Sequence, residues 1–184
     1  MSHENCVDDM GRTKSDISNS AIRIFLQQVG KFYDQVRGFE PFGPKVAQKE
    51  ELLAHFDNAC CFCGTALDRK SLSQDHLIPM NKETLGLHAW GNVVPCCSVC
   101  NNKKHRHQWR DFLSTVAGDQ AELRATRIET FIQSMNYDPS LDLREFAGNL
   151  YEDVGQVAMT LIDLRYKQAE SAIKELVAKK VNPN

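Results

Sequence analysis

The sequence predicts an α+β fold that is mostly helical: a small metal-stapled module of two strands and a helix, flanked by N- and C-terminal α-helices. Two Cys-x-x-Cys pairs, Cys60/Cys63 and Cys97/Cys100, bracket the middle of the chain. Between them lie two short strand-like stretches, and a polar, helix-compatible run follows the last cysteine. On both sides, apolar residues recur at three- and four-residue spacing, the period of a helix face.

Composition sets the limits. A chain of 184 residues is long enough for one sizeable core or for a small module with helical additions. A hydrophobic share of 42% and a charged share of 25% are ordinary for a globular protein and exclude fibrous and disordered classes. No apolar run approaches the roughly 20 residues of a membrane span, and the first ten residues lack a basic segment leading into an apolar one. A cytoplasmic location is therefore expected. All seven cysteines except Cys6 fall between positions 60 and 100, and in a reducing compartment such clustering points to metal before disulfides.

The formal net charge of −2 hides an uneven distribution. Residues 60–115 carry seven Lys/Arg against four Asp/Glu, while both flanks are acidic. The densest positive run is Lys103, Lys104, Arg106 and Arg110, with His105 and His107 interleaved. A polyanion would approach there.

Four segments follow in order. Residues 1–17 are polar and without periodicity, and are expected to form a disordered tail. In the N-terminal helical segment 18–57, Ser18 or Asn19 is a good N-cap for a helix carrying Ile22, Phe25, Leu26, Val29, Phe32, Tyr33 and Val36. Gly38, Pro41, Gly43 and Pro44 end it, and a second helix is expected over about 45–56. The metal-bound core spans 58–116, with strands over 72–78 and 92–96 and a helix from Asn101 through Trp109 to Val116. In the C-terminal helical segment 117–184, Asp119 and Glu122 have the spacing of a capping box. Asp138-Pro139 reads as the start of a last helix. Its apolar positions, from Leu143 to Leu176, extend so far that Gly148 or Gly155 is expected to kink it, or the stripe to form a coiled-coil-like surface.

Cysteine pairs at this spacing predict a closed tetrahedral zinc site. Cys60, Cys63, Cys97 and Cys100 are the preferred ligands because only they form the Cys-x-x-Cys turn twice. Cys61 and Cys96 lie beside the knuckles as substitutes. A four-thiolate site leaves no open coordination position, so chemistry must come from the residues it encloses: Asp75, His76 and Asn92, with Asn101 just beyond. Hydrolysing a phosphodiester needs a base to activate water, a Lewis acid for the leaving oxygen and positive charge along the backbone. His76, Asp75 and the basic run match these needs.

The series Cys60-x-x-Cys63-Gly64, Asp75-His76-Leu77-Ile78-Pro79, Gly91-Asn92-Val93-Val94-Pro95 and Cys97-x-x-Cys100-Asn101-x-Lys103 resembles the HNH endonucleases and their ββα-metal fold. The resemblance covers about residues 58–110. It implies that His76 is the general base, that Asp75 ligates a catalytic Mg²⁺ or Mn²⁺, and that Asn92 fixes the loop and orients His76. Asn101 stands where the family often has His, and a carboxamide oxygen is a sound ligand for either metal. Lys103, Lys104, Arg106 and Arg110 are the expected nucleic-acid contacts. His105 is a candidate auxiliary ligand, whereas His55 and His88 are expected to be surface or packing residues. The function expected is metal-dependent cleavage of DNA, with RNA also open, in restriction or phage defence. The alternatives are a non-catalytic zinc module binding nucleic acid or a partner, and an effector subunit whose helical flanks form a homo-oligomer or join a larger defence complex.

Overall fold

The computed structural model describes residues 3–181 and divides into two compact units, one formed by residues up to Ile22 with those from Phe146 onward, the other by Arg23–Glu145. The elements run α1 (His3–Val36), α2 (Val46–Ala54), β1 (Ser73–His76), β2 (Val93–Cys96), α3 (Ser98–Lys104), α4 (Trp109–Val116), a 3₁₀ turn (Gly118–Gln120), α5 (Ala121–Ser134) and α6 (Arg144–Val181). No described helix is long and apolar enough to cross a membrane.

In the unit 23–145, β1 and β2 pair antiparallel, with Ser73 opposite Cys96, Asp75 opposite Val94 and His76 opposite Val93. A two-stranded ribbon of this length is not stable alone. It is held by a core in which Phe42, Leu52, Phe56, Phe62, Val93 and Ile128 are almost fully buried. Phe62 meets Phe112 edge-on at 5.2 Å, and Phe56 meets Phe131 at 5.1 Å, which ties the first cysteine knuckle to α4 and the turn after α2 to α5. The knuckle is further sewn to β2 where Cys61 N–H donates to the Pro95 carbonyl, 3.0 Å away.

The end of α1 is fastened to the loop before β2 by a buried carboxylate. Asp34 accepts hydrogen bonds from Phe42 N (2.8 Å), Trp90 N (3.1 Å) and Arg37 Nη2 (2.6 Å), and the same guanidinium donates to the carbonyls of Trp90 and Met135. Burial pushes the Asp34 pKa up, opposed by the two N–H donors and Arg37. Gly30 lets the helix backbone reach this loop, since a Cβ at that position would lie 2.4 Å from the His88 carbonyl oxygen.

Four expectations need correction. The polar segment expected to be a disordered tail is helical from His3; residues 1 and 2 and the Cys6 side chain lie outside the described residues. What continues this helix is distant in sequence: Ser18 Oγ donates to the Tyr151 carbonyl at 2.7 Å, and Ser15 Oγ meets the Tyr151 hydroxyl at 3.2 Å. The single helix expected after Cys100 is two, α3 and α4, because the chain turns at His105 with φ +45° and becomes extended at Gln108. Asp119 provides no capping bond, and a 3₁₀ turn leads into α5 instead. Asp138 closes a local turn with Ser140, while Asp142 Oδ1 accepts from Arg144 N where α6 begins.

Gly155 does not interrupt α6. Within its unit it is a crossing point, since a Cβ there would lie 2.5 Å from Ser18 Oγ. Beyond it Val157, Leu161, Leu164, Ile173 and Leu176 are exposed.

Asp34→Ala should strip two backbone N–H groups and a buried guanidinium of their acceptor. The expected loss is about 3–5 kcal/mol, read as a lower urea midpoint at unchanged m-value.

Candidate active site

Cys60, Cys63, Cys97 and Cys100 converge so that one sulfur from each lies within 4.8 Å of all the others. Among the described residues they are the one cluster of three or more potential ligands drawn from His, Cys, Asp and Glu. Backbone turns present them: Gly64 N donates to the Cys60 carbonyl at 2.9 Å with Gly64 at φ +77°, and Cys97, the N-cap of α3, accepts from Cys100 N at 3.4 Å. The spacing of the sulfurs and their soft thiolate chemistry fit a tetrahedral zinc ion. Thr65 Oγ1 lies 3.2 Å from Cys63 Sγ. Although burial opposes it, this contact and the neighbouring thiols lower the Cys63 pKa to about 6. Cys61 and Cys96, the substitutes, are buried beside the frame and held as thiols by that burial.

Asp75 is buried in mid-strand, and its partner is unexpected. Lys104, fully buried at the end of α3, places Nζ 3.0 Å from Asp75 Oδ2 and donates to the His76 carbonyl at 2.6 Å. Burial raises the Asp75 pKa, and the Lys104 ammonium opposes it. Lys104 therefore cannot be the phosphate contact that its place in the basic run suggested. A lysine counted by charge alone reads as solvated, but here the last turn of α3 lies against β1 and buries it. Lys103, Arg106 and Arg110 remain exposed. Arg110 is partly committed, paired with Glu129 and stacked 4.6 Å over Trp109.

Asn92 lies across the loop that joins the two strands. Fully buried, it accepts from Ile78 N through Oδ1 at 2.8 Å and donates through Nδ2 to the carbonyls of Ile78 (3.1 Å) and Leu87 (2.8 Å). The carboxamide thus closes the excursion between the strands on itself. Gly86 permits this closure, since a Cβ there would lie 1.9 Å from the Ile78 carbonyl oxygen.

His76, half-buried at the end of β1, meets His88, which the sequence predicts to be a surface or packing residue. Its Nε2 lies 3.0 Å from His88 Nδ1. Burial, then unfavourable electrostatics with His88, Lys104 and Arg23, drives the His76 pKa down to about 3. Burial and Lys31 lower that of His88. Both rings are therefore neutral near pH 7. Asn101 is half-buried on α3, and His105 and His107 are exposed.

Residues 60–114 match the family model for HNH endonuclease. The HNH segment thus takes in both cysteine pairs, Asp75, His76, Asn92 and Asn101, and covers under a third of the chain. No curated protein matches the chain. The segment that matches was legible in the motif series, but the contact of His88 with His76 was not, because no local spacing connects the two.

Replacing Lys104 with Met should destabilise the zinc-loaded protein by about 3–5 kcal/mol by leaving Asp75 charged and unpaired. The same change at exposed Lys103 should cost less than about 0.5 kcal/mol. Urea unfolding of the two variants side by side distinguishes a buried from a solvated lysine.

Proposed function

We propose that this protein is an endonuclease that hydrolyses DNA phosphodiester bonds, with His76 as general base. The observation that carries the reading is the HNH match over 60–114 coinciding with a neutral imidazole at the end of β1, beside a loop closed by Asn92. A neutral ring has a lone pair with which to take a proton from water. Its basicity is suppressed partly by Lys104 and Arg23, and an approaching phosphate would offset that positive field and raise the affinity of the ring for a proton.

Each neighbour has a part in this reading. Asn92 holds the excursion that contains His88, and Leu77 N, bonded to the Asn92 carbonyl at 2.8 Å, continues the pairing of the two strands past His76. Lys103, Arg106 and Arg110 would hold the nucleic-acid backbone. Asp75 Oδ2 is buried without a well-directed hydrogen bond, and with Asn101 it could hold Mg²⁺ or Mn²⁺. Such an ion would supply Lewis-acid stabilisation of charge on the leaving oxygen. Cys60, Cys63, Cys97 and Cys100 would hold a zinc ion that maintains the frame.

The Lys104–Asp75 pair favours a second reading, a zinc module that binds nucleic acid without cutting it, because an ammonium already neutralises the carboxylate. His76→Ala decides between the two. On the nuclease reading it lowers the cleavage rate in Mg²⁺ or Mn²⁺ by about 10²–10⁴-fold, while elemental analysis still finds zinc bound. A wild-type protein that binds DNA and cuts neither DNA nor RNA supports the second reading. Loss of charge at Lys103 or Arg106 should weaken DNA binding irrespective of base sequence and reduce the slope of log K against log salt by about one.

A further inference from the structure

Two imidazoles meet at the end of β1, with His76 Nε2 and His88 Nδ1 3.0 Å apart, ring centroids 5.2 Å apart and planes inclined by 49°. At that distance one nitrogen must carry the hydrogen and the other the lone pair, since two N–H groups or two lone pairs facing each other repel. A neutral imidazole has one of each. If His76 takes a proton from water it needs a bare nitrogen for that water, and Nε2 is turned toward His88. Nδ1 is left. A bare Nδ1 places the hydrogen of His76 on Nε2, so His88 Nδ1 is the acceptor and His88 carries its own hydrogen on Nε2.

We propose that His88 is a positioning residue for the nuclease, accepting the Nε2–H of His76 and so fixing the tautomer that exposes Nδ1 as the base. This rests on the nuclease reading of His76. In the step it serves, water gives one proton to His76 Nδ1 as its oxygen bonds to phosphorus. The leaving oxygen departs with the electron pair of the broken P–O bond and is protonated from solvent, to which His76 then returns its proton. Throughout, His88 keeps the hydrogen bond that holds the ring plane.

The fold fixes His88 from three sides. Its ring lies edge-on to buried Phe42, with centroids 5.3 Å apart and planes at 70°. Its carbonyl abuts Gly30 of α1. Two residues on, Trp90 N is bound by Asp34. A ring needed only for packing would not have to present a nitrogen to position 76.

The test uses the full, zinc-loaded chain labelled with ¹⁵N, and reads histidine tautomers from two-bond ¹H–¹⁵N correlations, with His76→Gln assigning the signals. The expected result is an Nε2–H ring at 76 in the wild type, lost in His88→Leu and kept in His88→Asn, whose carboxamide oxygen can still accept. In parallel, His88→Leu should lower kcat about tenfold to a hundredfold, the usual loss when the partner orienting a functional imidazole is removed. KM should be unchanged, and His88→Asn should recover most of the rate. An Nδ1–H ring at 76, full activity in His88→Leu, or a second equivalent of Zn²⁺ shifting both rings as a chelate would each overturn the proposal. If the wild type cuts nothing, the nuclease reading falls, and the spectrum still decides which ring donates.

Discussion

The structure around the site depends on the convergence of four sulfur atoms from two distant turns. Two four-residue strands and a seven-residue helix bury too little surface to hold one another in register. The sulfurs tie the turn before β1 to the turn that opens α3, so the ribbon and helix are closed at the same end. Zinc at such a site contributes on the order of 10–16 kcal/mol of apparent folding free energy in small domains. That is comparable to the whole stability of an ordinary domain.

Electrostatics inside the frame are arranged by burial. Lys104 brings a full positive charge into a dry position, where it meets the Asp75 carboxylate and the His76 carbonyl. The same charge discourages protonation of the His76 ring. One lysine therefore offsets the charge of a carboxylate in mid-strand and adds to the burial that keeps the next residue neutral. The cost of burying an ammonium is offset only because both acceptors are present.

Much of this was legible in the sequence. The cysteine pairs, the Asp75-His76 step and Asn92 are local signals with fixed spacing, and in the fold the cysteines form one cluster and Asn92 lies across the loop. The two strands and the helix of the HNH segment follow from the sequence apart from the break at His105, a positive-φ turn that no Gly announced. What could not be read were partners far apart along the chain. Lys104 counted as one more surface charge until α3 packed on β1, and His88 had no significance until the excursion folded back onto His76. Tyr151 likewise lies more than 130 residues from the serines it receives.

Gly30 carries no functional group and sits inside a long helix, near its C-terminal end, where glycine is ordinarily a weakness of about 1 kcal/mol. Because a methyl group there would collide with the backbone of His88, the imidazole pair depends on an atom that is missing some fifty residues upstream. The placement of His88 therefore reaches into a helix that contributes neither ring, through the space a side chain at position 30 would fill.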